Sequence, residues 1–307
     1  MKCIDQHDGD GFTVYHGDCV DVLSALPDGS IGYSIFSPPF ASLYTYSDDL
    51  RDMGNVRDHD EFGRQFAYLC EQLFRVIAPG RLVSIHCMNL PASKVRDGYI
   101  GIHDFRGHII RAMQAAGFVY HSEVTIWKDP VTAMQRTKAL GLLYKQVRKD
   151  AARSRQGLPD YLLQFGRPSE GEPGYLVTFR KDGENAEPVT HDEDRWPVTL
   201  WQRYASPVWM DIDQSDTLNG WRDARDHDDE RHVCPLQLGV IRRALDLWTN
   251  PGDVVLSPFT GIGSEGVAAL GMGRRFVGAE LKPSYFRQAV ANLSGVAAQP
   301  VLFGGEE

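Results

Sequence analysis

Four consecutive residues, Ser37-Pro38-Pro39-Phe40, place a hydroxyl group, carbonyl oxygens and an aromatic ring close together. They follow an apolar run over residues 31–36 that predicts a buried strand. Prolines cannot extend a central strand, so the chain must leave the sheet here, at the strand end where open α/β sheets bind ligands. Two acceptors and a stacking surface suit an amino group on a flat ring. By itself the tetrapeptide also fits a strand-ending turn with Phe40 in the core.

A second candidate site follows the short apolar strand over residues 254–256. Here Gly261 and Gly263 allow close approach of the backbone, and the next helix offers N–H donors. Glu280 stands 17 residues after Gly263, at the end of the next predicted strand, where a carboxylate suits a ribose. The stretch is neither G-x-G-x-x-G nor a P-loop. It therefore favours a small adenosine ligand with a zwitterionic tail over a dinucleotide or ATP.

The elements that position these residues alternate between strands and helices. The sequence predicts strands over 12–16, 31–36, 81–87 and 118–127, with helices over 19–26, 61–77 and 108–116 between them. After a break, the pattern resumes with a helix over 235–249, strands over 254–256 and 275–280, and helices over 265–270 and 285–293. This alternation predicts an α/β fold with a doubly wound, mostly parallel sheet.

The alternation is lost between residues 129 and 231, which are charged, rich in proline and tryptophan, and weakly periodic. We interpret this region as an insertion or small second lobe. The chain is accordingly divided into one half of the main domain over 1–128, an insertion over 129–231, and the other half over 232–307.

Charge is unevenly distributed along the chain, whose net charge is −9. Residues 136–167 contain eight basic residues but only two acidic ones. Such a segment is either a phosphate-binding surface or a solvated helix face. Its basic residues are Arg136, Lys138, Lys145, Arg148, Lys149, Arg153, Arg155 and Arg167.

Several classes of protein are disfavoured by composition. The five cysteines are scattered and form no C-x-x-C pair, which argues for reduced thiols in an intracellular protein and against a zinc site. The ten histidines lack a tight ligand spacing, so no metal is predicted. No apolar run approaches the roughly 20 residues of a membrane span, and the polar N-terminus is not a signal peptide.

With both sites in view, the chain resembles the β group of amino DNA methyltransferases, which use S-adenosylmethionine. In that group a catalytic S/D-P-P-Y/F motif comes first, a target-recognition region follows, and a cofactor F-x-G-x-G motif comes late. This chain shows the same order over roughly two-thirds of its length, from Ser37–Phe40 through the atypical middle to Phe259–Gly263. The resemblance extends to Asp18 and to the Cys234-Pro235-Leu236 entry to the next helix. As a whole, the chain resembles methyltransferases carried by phages and prophages.

The resemblance implies roles for individual residues. Ser37 and the Pro38 carbonyl would accept hydrogen bonds from the exocyclic amine of a flipped base, Phe40 would stack on the base, and Pro39 completes the motif. Asp18 would lie near the cofactor, although its position equally suits a helix cap. The loop opens with Ser257, where the family usually has aspartate. The remaining residues implied to line the cofactor site are Cys234, Pro235, Leu236, Phe259, Thr260, Gly261, Gly263 and Glu280.

DNA is the partner that the resemblance implies, with one base flipped out of the duplex. The basic segment would contact phosphates, and the loop from Tyr44 to Arg57, which includes Arg51, would close over the base. The family relation also allows a homodimer and a cognate restriction endonuclease. It implies no membrane association and a cytoplasmic location in a bacterial or phage-infected cell.

Serine in the first position of the motif is more typical of enzymes that methylate cytosine N4, whereas most adenine-modifying members carry Asp-Pro-Pro-Tyr. Cytosine N4 is therefore the predicted target, and adenine N6 is the nearest alternative. Methylation of RNA or a small molecule, and a non-catalytic DNA-binding relative, are the further alternatives.

Overall fold

The computed structural model describes residues 3–39, 52–56, 59–92, 94–129, 148–149, 156–167, 186–191, 196–220 and 235–298. The strands are β1 (Asp5–Gly9), β2 (Phe12–His16), β3 (Ile31–Phe36), β4 (Ile77–Met88), β5 (Leu90–Ala92), β6 (Gly101–His103), β7 (Val119–Ile126), β8 (Asp160–Gly166), β9 (Val208–Trp209), β10 (Val254–Ser257) and β11 (Arg275–Glu280). The helices are α1 (Cys19–Ser24), α2 (His59–Val76), α3 (Lys94–Asp97), α4 (Phe105–Ala115), α5 (Val198–Tyr204), α6 (Leu238–Trp248), α7 (Ser264–Gly271) and α8 (Pro283–Ala297), with a 3-10 turn over Met53–Asn55.

A nine-stranded sheet in the order β1-β2-β11-β10-β3-β4-β8-β7-β9 forms the centre of the molecule. Neighbouring strands from β2 to β4 run parallel. Strand β1 pairs antiparallel with β2 at one end, and β8 pairs antiparallel with both β4 and β7 near the other. The predicted α/β fold with a mostly parallel sheet is confirmed.

The connections between strands diverge from the middle of this sheet. Strand β3 leads through α2 to β4 on one side, whereas β10 leads through α7 to β11 on the other. Because β3 and β10 are parallel neighbours, with Ser34 opposite Leu256, their carboxyl ends flank the crevice that such a divergence leaves. Both candidate sites therefore lie at the same edge of the sheet.

Apolar residues cover both faces of the sheet. In β3, Phe36 packs in a core with residues of α1, α2 and α4, while Ile35 packs in a second core with residues of α6, α7 and α8. Successive side chains point to opposite faces of a strand, so a strand covered on both faces has no polar face. Helices on both sides make the sheet doubly wound and hold the ends of β3 and β10 in place.

Two strands of the sheet come from within the predicted insertion over 129–231. Strand β8 lies between β4 and β7, and β9 lies beyond β7 at the edge. The sequence analysis missed β8 because it pairs antiparallel and lacks the following helix that marks a βα unit. The middle region thus contributes to the main sheet, while the division of the chain into domains stays a prediction.

Candidate active site

The Ser37 hydroxyl lies at the carboxyl end of β3. That strand ends at Phe36, as the two prolines predict, and Ser37 is the next residue. Ser37 is half-buried and Pro38 is buried. The Oγ atom of Ser37 lies 2.8 Å from Nδ1 of His86 on the neighbouring strand β4. Phe40 lies outside the described residues.

His86 connects Ser37 to a buried carboxylate that the sequence analysis missed. Its Nε2 atom lies 3.0 Å from Oδ2 of Asp160, and the Nζ atom of Lys128 lies 2.5 Å from the same oxygen. Asp160 is 1% exposed and His86 is 7% exposed. A hydroxyl, an imidazole, a carboxylate and an ammonium group therefore follow one another from the end of β3, with the carboxylate the most deeply buried of the four.

Four adjacent strands, β3, β4, β8 and β7, bring this chain of side chains together. Phe36, just before Ser37, lies opposite Ile85, just before His86. Asp160 begins β8, opposite Met88 of β4 and Ile126 of β7, and Lys128 follows β7. In the sequence, Ser37 follows one apolar strand, His86 lies near the end of a second, and Asp160 begins a third. That these three side chains meet could be recognised only once the position of β8 in the sheet was known.

The charge of Asp160 is maintained by its neighbours. Burial would raise the pKa of this carboxyl, but the positive charge of Lys128 and the adjacent His86 outweigh burial and hold the pKa below its ordinary value. Asp160 is consequently ionised at neutral pH, and it can only accept hydrogen bonds.

The glycine-rich loop after β10 has the geometry that its sequence predicts. Gly261 and Gly263 adopt φ angles of 54° and 93°, in the left-handed region that favours glycine. The N–H of Thr260 donates to the carbonyl of Ala279 at 3.0 Å, and the N–H of Gly263 donates to the carbonyl of Thr260 at 2.8 Å. Apart from its two chain neighbours, no described residue has an atom within 4 Å of a Cβ built on Gly261, so the space beside its backbone is open among the described residues.

Glu280 links this loop to the end of β11. Its Oε2 accepts from the N–H of Gly261 at 2.7 Å, and its Oε1 accepts from the N–H of Lys282 at 2.8 Å. Burial raises the pKa of the Glu280 carboxyl to about 7, against the lowering effect of the two N–H donors, and the charge of Asp52 adds to the rise. The carboxyl group thus titrates near neutral pH.

A second carboxyl group lies beneath the same loop. Glu265, in the first turn of α7, is 5% exposed. Burial raises its pKa to about 8, its own backbone N–H lowers it, and the charge of Glu280 adds to the rise. Ser257 Oγ is also fully buried and has no hydrogen-bond partner in the described part of the chain.

The remaining residues predicted at the cofactor site are partly described. Asp18 caps α1, because its Oδ1 accepts from the N–H groups of Val20 and Asp21 at 2.9 and 3.1 Å. Pro235 and Leu236 precede α6, with Leu236 buried, whereas Cys234 lies outside the described residues. The structure therefore supports the capping role of Asp18, and a contact with a cofactor stays a prediction.

The two candidate sites meet at the switch point of the sheet. The ring of Phe36, at the end of β3, lies 5.7 Å from the ring of Phe259 in the glycine-rich loop. The hydroxyl of Ser34 donates to the carbonyl of Leu256 at 2.9 Å and ties the two strands together. Ser37 and the loop over 257–263 consequently line neighbouring parts of one edge.

Few of the residues predicted to contact DNA are described. Arg148 and Lys149 are exposed and helical. Arg167 does not have the phosphate-contacting role predicted for the basic segment. Its guanidinium donates to the carbonyls of Arg75 and Ile77 and is not free for phosphate. Tyr44, Arg51, Arg136, Lys138, Lys145, Arg153 and Arg155 lie outside the described residues.

The described residues contain neither a grouped set of metal ligands nor a helix able to span a membrane. No three histidine, cysteine, aspartate or glutamate side chains in the described ranges are grouped as a metal site would require. No helix in those ranges is both long and apolar enough to cross a membrane.

Sequence comparisons relate most of the chain to DNA methylases. The family model N6_N4_Mtase, described as DNA methylase, matches residues 33–291. The chain is 25% identical over 307 residues to the type II methyltransferase M.Cfr9I of Citrobacter freundii, covering 93% of this chain and 88% of that protein. It is 22% identical over 284 residues to the DNA adenine methyltransferase YhdJ of Escherichia coli K12, covering 92% and 82%.

Solved structures share the fold over nearly the whole chain. PvuII DNA methyltransferase, which is cytosine-N4-specific, superposes with a TM-score of 0.62 at 15% identity, covering 94% of this chain and 91% of that one. A DNA modification methylase of Thermus thermophilus, complexed with S-adenosyl-L-methionine, superposes with a TM-score of 0.62 at 21% identity, covering 93% and 95%.

Proposed function

This chain belongs to the N6/N4 DNA methylase family, and we propose that it methylates the exocyclic amino group of a base flipped out of DNA, with cytosine N4 as the target. The observation that carries the proposal is the position of Ser37. Its hydroxyl lies at the switch point of the sheet, next to the glycine-rich loop, where an acceptor for an amino group is needed.

The loop after β10 fits S-adenosylmethionine, whose sulfonium group supplies an electrophilic methyl group when it is bound. The open space beside Gly261 accommodates the ligand, and the buried Ser257 Oγ has a hydrogen-bonding capacity that the described residues leave unused. Glu280 would bind the ribose hydroxyl groups. Phe259, Thr260 and Gly263 would line the pocket, with Asp18 and the segment Cys234–Leu236 at its border.

On the acceptor side, Ser37 and Pro38 would position the reacting nitrogen. An exocyclic amine is a poor nucleophile because its lone pair is delocalised into the ring. The Ser37 Oγ and the Pro38 carbonyl would each accept one N–H bond, which favours a tetrahedral nitrogen with its lone pair directed at the methyl group. Phe40 would stack on the base. Such positioning can supply most of the rate of a direct displacement.

Cytosine N4 is proposed over adenine N6 because Ser37, rather than aspartate, begins the motif. The fold similarity to a cytosine-N4-specific enzyme is compatible with this assignment, although PvuII DNA methyltransferase shares the fold alone. Adenine N6 is the second candidate, since YhdJ, an adenine methyltransferase, is 22% identical over most of the chain. The identity of the methylated nucleoside decides between the two bases.

The organisation of the chain follows from the same proposal. Its motif order is that of the β group, with the halves of the catalytic domain over 1–128 and 232–307 and a target-recognition region over 129–231. The basic segment would contact the phosphates on either side of the flipped base. A cognate restriction endonuclease is part of the proposal, because M.Cfr9I is a type II methyltransferase.

Methyl acceptance by DNA and by RNA tests this function. Wild-type protein is incubated with methyl-labelled S-adenosylmethionine and either unmethylated duplex DNA of mixed sequence or folded RNA, and label in the polymer is counted. We expect transfer to DNA only. Transfer to RNA alone, or binding of the cofactor without transfer to either polymer, would overturn the proposal.

Ser37→Ala, with Ser34→Ala as a matched control, tests the role of the hydroxyl. Both serines lie on or just after β3, but Ser34 donates to the Leu256 carbonyl inside the sheet. We expect Ser37→Ala to lower turnover by about a hundredfold while cofactor affinity stays within about twofold. Ser34→Ala should retain turnover in the folded protein. Equal turnover for both variants would rule out Ser37 as the acceptor.

A further inference from the structure

We infer that His86 and Asp160 are positioning residues that make the neutral Ser37 hydroxyl an acceptor for the amino group and an exit for its proton. This inference rests on the proposed function, and it concerns residues outside the motifs that define the family resemblance. A hydroxyl by itself is a weak acceptor and a poor proton sink, so Ser37 needs a partner that a carboxylate in its place would not need.

The geometry supplies that partner. His86 Nδ1 lies 2.8 Å from Ser37 Oγ, and His86 Nε2 lies 3.0 Å from Asp160 Oδ2. Nδ1 therefore faces a hydroxyl at the cleft, and Nε2 lies at ion-pair distance from a carboxylate inside the protein, without an aligned hydrogen bond to any described residue. His86 and Asp160 are both almost fully buried, so this arrangement is held by the strands around it rather than by solvent.

The charge of Asp160 determines which ring nitrogen carries the proton. An ionised carboxylate cannot donate, so a neutral His86 must carry its proton on Nε2, facing Asp160. Nδ1 is then a lone-pair acceptor, and the Ser37 O–H must donate to it. This leaves the lone pairs of Ser37 Oγ directed at the cleft, where the N–H group of a base would donate.

The same arrangement accounts for the proton that methyl transfer releases. The methylated nitrogen carries a positive charge and one hydrogen too many. One of its N–H bonds breaks as a new O–H bond forms at Ser37, while the original Ser37 O–H bond breaks as an N–H bond forms at His86 Nδ1. The products are a neutral methylamino base, a neutral Ser37 and an imidazolium beside the Asp160 carboxylate. The electrons balance without any other reactant.

The surroundings of His86 are suited to this step. Asp160 on β8 stabilises an imidazolium, and Lys128 after β7 keeps the Asp160 carboxylate ionised. Cys87 follows His86 on β4 and is fully buried. The charges of Arg106 and Glu123 are close enough to affect the pKa of the Cys87 thiol. Arg106 and Glu123 are paired with each other, so their charges largely cancel.

The tautomer of His86 can be measured without any activity. In the full-length protein labelled with ¹⁵N, histidine side-chain NMR spectra of wild type and His86→Gln identify the His86 ring by difference. We expect a neutral ring with the proton on Nε2 and an Nδ1 resonance that shifts in Ser37→Ala. A proton on Nδ1 would overturn the inference, whether or not the protein methylates DNA.

Single-turnover methyl transfer tests the proton exit. His86→Gln and Asp160→Asn are compared with Tyr33→Phe, which removes another buried hydrogen bond between β3 and β4, the 2.6 Å bond from Tyr33 to Ser84. We expect each of the first two variants to slow transfer by about a hundredfold with cofactor affinity retained, and Tyr33→Phe to slow it less than about threefold.

The same rates decide whether His86 takes part in the transfer. A His86→Gln rate within threefold of wild type would overturn the inference. Failure of the proposed function would instead show as no methylated DNA with wild-type protein.

Discussion

At the scale of single residues, the two candidate sites differ in the charge of their main side chains. In the proposed function Ser37 accepts hydrogen bonds without a charge of its own, whereas Glu280 and Glu265 are carboxyl groups whose ionisation is opposed by burial. The types of Ser37 and Glu280 and their positions at the ends of strands could be predicted from the sequence, whereas Glu265 in α7 was not singled out. The His86 and Asp160 partners of Ser37 could not, because they lie on other strands and meet only once β8 is placed.

Glu280 should make cofactor binding depend on pH. Its pKa of about 7 in the free protein means that the carboxylate, which we propose accepts from both ribose hydroxyl groups, is lost as pH falls below 7. We expect S-adenosylmethionine to bind about tenfold more weakly at pH 6 than at pH 8 by calorimetry. Glu280→Gln should bind weakly without this dependence, and the exposed control Glu71→Gln should match wild type. A pH-independent wild type would contradict the ribose assignment.

Glu265 should make the free energy of unfolding fall as pH rises, whereas a salt-bridged carboxylate makes it rise. Its pKa is about 8 in the folded protein and near 4.5 when unfolded, so unfolding releases a proton between these values and stability falls as pH rises from about 4.5 to 8. Glu265→Gln removes this loss. We expect the variant to be more stable than wild type by about 2 kcal/mol at pH 9 and similar at pH 4.5, as measured by urea unfolding. A Glu265→Gln variant that is less stable than wild type at pH 9 would contradict the prediction that the buried charge is destabilising.

At the scale of elements, the ends of strands and helices position the site. The strand over 31–36 and the strand over 12–16 have the bounds that their apolar patterns predict, since the prolines and Gly17 end them locally. Strand β8 was missed because no local signal reveals which strands an antiparallel segment pairs with. Similarly, Arg167 looked like part of a basic surface, but its position after β8 directs it to the carbonyls at the end of α2.

Helix α1 provides a test of an element near the cofactor loop. Asp18 caps its first turn through two N–H groups, and asparagine can make the same bonds without the charge. We expect Asp18→Ala to lower the free energy of unfolding by about 1 kcal/mol, and Asp18→Asn to lower it much less. If Asp18 also contacts the cofactor through its charge, both variants should bind S-adenosylmethionine more weakly. Equal affinity in all three proteins would leave Asp18 with the capping role alone.

At the scale of the whole molecule, an acidic chain must bind a polyanion. The net charge of −9 disfavours binding to DNA. The affinity therefore has to come from local basic surfaces, such as the segment that contains Arg148 and Lys149. The sequence shows the charge pattern, and the role of this segment as a DNA-binding surface stays a prediction. Its shape could not be predicted, because a charge pattern does not specify which side chains reach phosphates.

The salt dependence of DNA binding tests that surface. Replacing Lys145, Arg148 and Lys149 with glutamine should weaken binding to duplex DNA and reduce the slope of log affinity against log salt by about 2 to 3, at about 0.9 for each phosphate contact. The control replaces the exposed Arg64, Arg111 and Arg242 on α2, α4 and α6. It should leave the slope unchanged. Equal slopes for both triple variants would contradict a phosphate-binding role for the segment.

Methyl transfer to an exocyclic amine at Ser37 is the claim on which the account rests, and mass spectrometry of nucleosides detects its product. Unmethylated duplex DNA is incubated with S-adenosylmethionine and either wild type or Ser37→Ala, then digested to nucleosides. We predict N4-methylcytosine with wild type and about a hundredfold less with the variant. N6-methyladenine would retain the amine chemistry but overturn the assignment of cytosine. Methylation of a ring carbon, as in 5-methylcytosine, would contradict the claim itself.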